Sequence, residues 1–257
     1  MTHRQRRPLA ASAPHRAASP LAALAIAVCL LLVPAAAQAG AVGAASIPDE
    51  QLVVTLLSVK SVHAEPVFDS SSVAAVADQR PITLVRTTLP VLAQQTDGEG
   101  RLWLQVRLPG RVLHRKSPPR SGWITAFDTR ISTTAWHLVV DVGARRVTAY
   151  RGAKRQRSFR VIVGKSATPT PRGEYFVEET MRLPARHVGA PFAIAASARS
   201  AVLKEFMGGP GQIALHGVTN IGGKMGSAVS NGCIRMTSGA LAWLAPRIKA
   251  GVPLTIR

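Results

Sequence analysis

Short apolar segments separated by turn residues run through residues 51–131 and predict a module built of β-strands. Alternating apolar and polar positions are typical of half-buried strands, and Asp97-Gly-Glu-Gly100 and Pro109-Gly110 are typical turn sequences. The candidate strands are Leu52–Leu57, Ile82–Val85, Leu89–Leu92, Leu102–Leu108 and Gly122–Ile124.

The second half of the chain, residues 135–257, also has a strand pattern, and its first part predicts a three-stranded meander with arginines at the turns. The candidate strands are Trp136–Val142, Val147–Tyr150, Phe159–Val163, Gly173–Glu179, Gln212–Leu215 and Val252–Ile256. Thr237 or Ser238 can cap a helix over Ala240–Ile248, which Pro246 must kink or end. The fold class predicted for the whole chain is therefore mainly β, a β-rich α+β protein with one or two short helices.

The N-terminus has the pattern of an export signal. Four arginines in residues 1–16 precede an uncharged apolar run, Leu21–Val33, and the small residues Ala37-Gln-Ala39. This pattern predicts a signal peptide over residues 1–39, cleaved before Gly40, and a linker over residues 40–50. The alternative is an uncleaved membrane anchor, because the uncharged stretch 17–45 is long enough to span a bilayer. Either reading predicts a protein exported across the cytoplasmic membrane, to the cell wall, the periplasm or the medium.

The charge balance predicts an anionic partner. The chain has 32 Lys and Arg against 13 Asp and Glu, and removal of residues 1–39 would leave a formal charge of +15. Anionic wall polymers fit this charge, and a membrane surface fits it if the N-terminal segment stays uncleaved. The export signal, the 5% aromatic content and the absence of a nucleic-acid-binding motif disfavour nucleic acid. A hydrophobic content of 47% excludes a wholly disordered polycation.

The number of cysteines limits the roles that a cysteine can have in this protein. The two cysteines are too few for a disulfide scaffold or a four-cysteine zinc site, and cleavage would remove Cys29 and leave Cys233. A single exported thiol can pair between molecules, be buried, or act as a nucleophile. Cys233 ends Ser230-Asn-Gly-Cys233, where a glycine turn can aim backbone N–H groups at an oxyanion, and this favours the nucleophile.

A nucleophilic thiol needs a base, and His216 is the best candidate. It follows an apolar strand, and the glycine-containing segment 220–229 can form a loop that returns the chain to the strand end. Metal binding is the competing use of Cys233 and His216. This pair leaves a zinc site two ligands short, and neither His137 nor His187 has ligand spacing, so no metal is predicted.

At these residues the chain resembles the L,D-transpeptidase family with the YkuD-type catalytic domain. The resemblance rests on His216-Gly217, on Ser230-Asn-Gly-Cys-Ile-Arg235 and on Thr168-Pro-Thr-Pro-Arg-Gly173, in that family's order and spacing. It covers residues 135–257 and implies a YkuD-type β-sandwich with short helices. The segment Arg101–Arg111 and Ser121-Gly-Trp-Ile124 resemble bacterial SH3-like modules, which implies a small SH3-like β-barrel over residues 51–131.

The resemblance implies acyl transfer through a cysteine thioester, with no cofactor. Cys233 would be the nucleophile and His216 the base, oriented by the carbonyl oxygen of Gly217. Peptidoglycan stem peptides would be the substrate, with release of D-alanine and formation of 3→3 cross-links. The alternatives are an L,D-carboxypeptidase or endopeptidase that hydrolyses the same bond, and a non-catalytic wall-binding protein.

The remaining candidates bind the substrate or the oxyanion. The N–H groups of Asn231, Gly232 and Cys233 would hold the oxyanion, and Ser230 and Thr170 are cleft candidates. Arg235 would either pair with a substrate carboxylate or brace the loop. Many family members have histidine where Asn231 stands, and asparagine can donate a hydrogen bond but cannot relay protons, which leaves His216 as the sole predicted base.

Overall fold

The computed structural model describes residues 47–257, which form 17 strands and one helix. The predicted signal peptide, Cys29 and residues 40–46 of the predicted linker lie outside the described residues. The mainly β fold class is confirmed. Within the described part, no helix is long and apolar enough to cross a membrane.

The first sheet contains seven antiparallel strands in the order β3-β2-β6-β5-β4-β1-β7. They are β1 (Gln51–Leu56), β2 (Lys60–His63), β3 (Ser72–Val76), β4 (Thr88–Thr96), β5 (Leu102–Arg107), β6 (Ser121–Thr125) and β7 (Thr129–Thr134). Its core contains Val54, Leu56, Leu104 and Ile124, all fully buried and all on predicted strands. The core also contains Val62 of β2 and Val76 of β3, two strands that were not predicted. Whether this sheet is an SH3-like barrel stays a prediction.

The predicted strand Ile82–Val85 is wrong. Residues 81–83 form a turn, closed by the Leu84 N–H donating to the Arg80 carbonyl at 3.0 Å. Leu84 has a φ of 56°, and the side chains of Ile82 and Leu84 are 65% and 66% exposed. An apolar run this short does not by itself distinguish a strand from a turn with exposed apolar side chains.

The second sheet has eight strands in the order β10-β9-β8-β17-β12-β13-β14-β16. They are β8 (Trp136–Asp141), β9 (Arg146–Arg151), β10 (Lys154–Arg160), β12 (Gly173–Arg182), β13 (Phe192–Arg199), β14 (Gln212–His216), β16 (Ile234–Arg235) and β17 (Pro253–Ile256). The pairs β8 with β17 and β14 with β16 are parallel, and the other pairs are antiparallel. Two further strands, β11 (Val163–Gly164) and β15 (Ala228–Ser230), pair with each other in parallel.

The single described helix, α1 (Ser238–Leu244), covers part of this sheet. The side chain of Thr237 accepts from the Ala240 N–H at 3.3 Å, so the predicted cap is present. The helix ends two residues before Pro246 rather than at Ile248, since proline has no N–H to continue the ladder. Leu241 and Leu244 are fully buried in the core of the second sheet.

Strand β12 joins the two sheets. Phe176 is buried in the core of the first sheet, whereas its neighbour Val177 belongs to the core of the second. A register shift between Val177 and Glu179 interrupts the pairing with β13. As a result Glu178 and Glu179 are both 1% exposed. Buried carboxylates need close partners, and here the partners come from both sheets.

Candidate active site

The two strongest sequence candidates, His216 and Cys233, lie at neighbouring strand ends. Strand β14 ends at His216, and Cys233 directly precedes β16, which pairs with β14 in parallel register. Leu215 and Ile234 are partners across these strands and are fully buried in the core. Because side chains alternate along a strand, His216 and Cys233 project to the opposite face.

That face opens into a cavity of about 540 Å³. Five of the predicted site residues line it, namely His216, Ser230, Asn231, Cys233 and Arg235. A larger cavity of about 700 Å³ lies between α1, β12 and Val85 but is lined by none of the predicted site residues. We therefore assign the chemistry to the smaller cavity.

The turn that carries Cys233 is fixed by buried hydroxyl groups. Ser230 Oγ donates to the Cys233 carbonyl at 2.6 Å and accepts from the Gly232 N–H at 3.2 Å. Gly232 has a φ of 117°, a conformation that favours glycine. Beneath the turn, Thr170 Oγ1 donates to the Gly232 carbonyl at 2.8 Å and accepts from the Gly164 N–H at 2.9 Å.

These contacts revise two sequence expectations. Thr170 is 3% exposed with its hydroxyl fully used, so it supports the turn from below rather than lining the cleft. The Gly232 N–H already donates to Ser230, so it is not free for an oxyanion. The N–H groups of Asn231 and Cys233 have no acceptor among residues 47–257, and these two are left to hold an oxyanion.

His216 is held in one orientation by Gly217. Its Nδ1 lies 2.8 Å from the Gly217 carbonyl oxygen, and a carbonyl can only accept, so Nδ1 carries the hydrogen. In the neutral ring Nε2 is then the free base. The ring packs against Gly189, where an added Cβ would lie 2.8 Å from Nδ1. A Cβ on Gly217 would lie 1.8 Å from the Ala190 carbonyl oxygen, so only glycine fits after this histidine.

Burial keeps both reacting groups neutral at rest. Desolvation lowers the pKa of His216, the Gly217 carbonyl opposes this, and the positive charge of Arg235 lowers it further. Desolvation raises the pKa of the Cys233 thiol, while the Ala214 backbone and the charge of Arg235 oppose the rise. The thiol donates to the Gln212 carbonyl, with Sγ 3.8 Å from the oxygen. These directions favour a neutral thiol and a neutral imidazole rather than a preformed ion pair.

Arg235 has an unsatisfied guanidinium at the cavity wall. Its Nε is buried and has no hydrogen-bond partner among the described residues. Its Nη1 is 3.4 Å from the Gly222 carbonyl, a long contact that braces the loop only weakly. The two roles expected from the sequence, bracing and anion pairing, both stay predictions.

Comparison with known proteins identifies the domain. Residues 135–256 match the family model of the YkuD L,D-transpeptidase catalytic domain. The YkuD protein of Bacillus subtilis is 32% identical over 124 residues, which span 48% of this chain and 67% of the Bacillus protein. The chain belongs to the YkuD L,D-transpeptidase family.

Other members of the YkuD family are also similar. The YkuD protein of Bacillus licheniformis is 30% identical over 124 residues, covering 48% of this chain and 67% of that protein. Among solved structures, an L,D-transpeptidase from Mycobacterium smegmatis is 18% identical, with a TM-score of 0.37 over 61% of this chain and 90% of that one. The YkuD match contains the Cys233 turn, His216 and the Thr170 segment, and it leaves the first sheet outside.

The structure adds residues to the YkuD cleft that sequence reasoning did not place there. His187 lines the cavity with its Nδ1 2.7 Å from the Val188 carbonyl, so it is a second cavity histidine. Phe206 and Met207 line the opposite wall and are 46% and 87% exposed. They lie in turns between β13 and β14, a region without strand or helix periodicity. The one usable signal was two large apolar residues beside Gly208-Gly209.

No group of three or more His, Cys, Asp or Glu side chains that could hold a metal ion occurs in residues 47–257.

Proposed function

We propose that this protein is an exported peptidoglycan L,D-transpeptidase that forms 3→3 cross-links through a thioester on Cys233. The observation that carries the proposal is the placement of Cys233 and His216 on one cavity wall, at adjacent strand ends of a YkuD-family domain. Family membership supports peptidoglycan stem peptides as the substrate class.

The first step is acylation of Cys233. His216 Nε2 takes the thiol proton as Sγ attacks the carbonyl carbon between residues three and four of a tetrapeptide stem. The carbonyl oxygen becomes an oxyanion, which the N–H groups of Asn231 and Cys233 stabilise. The C–N bond then breaks, the amine of D-alanine leaves with the proton from His216, and a thioester remains.

The second step transfers the acyl group. The side-chain amine of residue three in a neighbouring stem loses a proton to His216 and attacks the thioester carbon. Collapse of the second oxyanion breaks the C–S bond, and His216 returns the proton to Sγ. Splitting one amide exchange into two steps is the advantage of a covalent intermediate.

Two further residues fit substrate contacts. Arg235 lines the cavity and can pair its guanidinium with a stem carboxylate, because guanidinium and carboxylate form strong charge-assisted bonds. Asn231 is exposed at the cavity and can donate its amide to a substrate carbonyl, although it cannot shuttle a proton as histidine would.

The product mixture from a purified tetrapeptide muropeptide tests this function. A cross-linked dimer with loss of one D-alanine per bond, found by mass spectrometry, supports the transpeptidase. Tripeptide alone would assign hydrolysis by an L,D-carboxypeptidase. Unchanged substrate, together with failure of a carbapenem to acylate Cys233, would leave a non-catalytic wall-binding protein.

Export is a separate part of the proposal. It rests on the basic and apolar pattern of residues 1–39 and on the location of the proposed substrate outside the cytoplasmic membrane. Mass spectrometry of the exported protein should find Gly40 as the first residue. A retained peptide containing Arg7 would instead assign a membrane anchor.

A further inference from the structure

The region from Val142 to Gly173 has a concentration of positive charge that the proposed chemistry does not use. It contains nine Lys and Arg residues and no Asp or Glu. Seven of the nine lie on strands β9 and β10 or directly beside them, and we call these seven the basic edge. They are Arg145, Arg146, Arg151, Lys154, Arg155, Arg157 and Arg160.

The basic edge is solvent-exposed and its charge is not neutralised. Strand β10 is the outermost strand of the second sheet, and all seven side chains are exposed. None of them forms an ion pair within 4.0 Å with a carboxylate of the described chain. The nearest acid in the strand register is Asp141, opposite Arg146, and its Oδ1 accepts from the Ala144 N–H.

Aromatic rings pack against two of these cations. The guanidinium of Arg157 lies 5.6 Å from the centre of the Phe159 ring and 5.7 Å from that of Trp243. Arg151 is 5.8 Å from the ring centre of Trp136. Stacking on an aromatic face restricts a guanidinium without cancelling its charge, so its N–H groups stay available to an anion.

The basic edge contacts the loop that leads to the cleft. Arg145 Nη1 donates to the Gly226 carbonyl at 2.9 Å, in the loop that leads to Cys233. Beyond β10, Ile162 exchanges two backbone hydrogen bonds of 2.9 Å with Arg235 at the cavity wall. A polymer with one segment in the cleft would therefore have neighbouring segments beside the basic edge.

We propose that the basic edge binds intact peptidoglycan through the carboxylates of stem peptides other than the one in the cleft. This inference rests on the proposed function, which places the same polymer at Cys233. Each exposed ion pair is weak on its own, so the surface suits a repeating polymer that engages several cations at once. The binding would keep the enzyme on its substrate between reactions.

Cosedimentation with purified, insoluble peptidoglycan tests the inference in a Cys233→Ala background, where no thioester can form. The test variant carries Lys154→Gln, Arg155→Gln and Arg157→Gln. The matched control carries Arg115→Gln, Lys116→Gln and Arg120→Gln, which removes the same charge from three exposed residues in the loop between β5 and β6. We expect the test variant to bind about tenfold more weakly and the control to change by less than about twofold. Equal melting temperatures of the two variants show that both are folded.

Peptidoglycan whose carboxylates have been amidated should bind the parent protein as weakly as native peptidoglycan binds the test variant. Undiminished binding to the amidated polymer, or equal loss in the control, would overturn the inference. Tighter binding to anionic lipid vesicles or duplex DNA than to peptidoglycan would overturn it too, by assigning another partner. The muropeptide assay is independent of this binding assay. Cross-linking by a protein whose peptidoglycan binding the three β10 substitutions do not weaken refutes only this inference. Binding that these substitutions weaken, in a protein that does not turn over muropeptides, refutes only the proposed function.

Discussion

Two clusters of buried polar groups lie on adjoining strands of the second sheet, and they are satisfied to very different degrees. In the first cluster both oxygens of Glu178 accept at least two hydrogen bonds. Their donors are Arg80 and Gly110 beside the first sheet and Arg199 and Gln212 in the second. Glu179 accepts both the N–H and the hydroxyl of Thr83.

The second cluster, at the cleft, leaves polar capacity unused. Cys233 has one long contact to a carbonyl, His216 uses only Nδ1, and Arg235 keeps a buried Nε without a partner in the described part of the chain. The carboxylates of the first cluster are paired from several sides, although Arg80 Nε has no hydrogen-bond partner among the described residues. Dense pairing fixes a structure, whereas sparse pairing with shifted pKa values leaves groups ready to react. Gln212 belongs to both clusters, with its side chain on Glu178 and its carbonyl facing the thiol.

The largest expected effect is the loss of activity on substitution of Cys233, with little change in stability. Cys233→Ala should lower cross-linking by more than about 10³-fold, because the residual rate lacks covalent catalysis. Muropeptide turnover and intact-protein mass after carbapenem treatment measure this. The free energy of unfolding should change by less than about 1 kcal/mol, since the thiol makes only a weak hydrogen bond. Turnover close to that of the parent would remove Cys233 from the mechanism.

The opposite pattern is expected at the paired cluster. Glu178→Ala leaves Arg80 and Arg199 without their shared carboxylate and should destabilise the fold by about 3–5 kcal/mol in urea unfolding. Glu174→Gln is the matched control, because Glu174 is an exposed carboxylate on the same strand and should cost less than about 1 kcal/mol. Similar losses in the two variants would show that burial and pairing of Glu178 are unimportant.

A substitution beneath the turn that carries Cys233 should affect both stability and activity, each to an intermediate degree. Thr170→Val keeps the shape but leaves the Gly164 N–H and the Gly232 carbonyl without their shared partner, at a cost of about 1–3 kcal/mol. Carbapenem acylation should slow as well, because the turn no longer fixes the position of Cys233. Thr170→Ser retains the hydroxyl and should restore the acylation rate, and failure of that rescue would argue against a role of the hydroxyl in positioning.

The smallest effect is a shift in pH dependence. His216 must be neutral to act as a base, and its pKa is lowered, so the acid limb of acylation should fall below the ordinary histidine value of about 6.5. Arg235→Gln removes one of the lowering causes and should move this limb to higher pH. A pH profile of carbapenem acylation, recorded for the parent protein and for the Arg235→Gln variant, measures the acid limb of each. A parent limb above the ordinary value would contradict the burial of the imidazole.

The shifted pKa values of His216 and Cys233 also predict how the free energy of unfolding depends on pH. Folding lowers the pKa of His216, so the stability linked to this residue is present above its pKa in the unfolded chain. That stability is lost as the pH falls through its pKa in the folded protein. Cys233 has the opposite effect on stability. Folding raises the pKa of its thiol, so the stability linked to this residue is lost as the pH rises through its pKa in the folded protein.

Sequence reasoning found most strands that contain several large apolar residues and missed some that contain few, such as β2 and β13. Strand β9 buries Val147 and Ala149 and leaves its ends exposed, so its pattern is easy to interpret. Strand β13 contains Ala193, Ala195, Ala196 and Ala198, and most of it is buried on both faces. A buried strand rich in alanine, with Ile194 as its one β-branched residue, has little alternation to mark it.

The candidate site could be predicted because most of its residues are close together in the sequence. Cys233, Ser230 and Asn231 are close in sequence, and His216 ends an apolar strand. The Glu178 cluster was not predictable in this way, since Arg80 lies 98 positions away in the chain and only the folded sheets bring the two together. Ring orientation at His216 likewise depends on the close approach of Gly189, which no spacing rule anticipates.

The paired cluster on β12 also bears on modularity. Residues 135–256 hold every position matched to the YkuD family, yet Glu178 and Glu179 inside that span take partners from Arg80, Thr83 and Gly110 outside it. Exchanging the first sheet for an unrelated module would leave Glu178 with only Arg199 and Gln212 and would take Thr83 away from Glu179. We therefore expect the catalytic domain of this chain to depend for its stability on the neighbouring sheet.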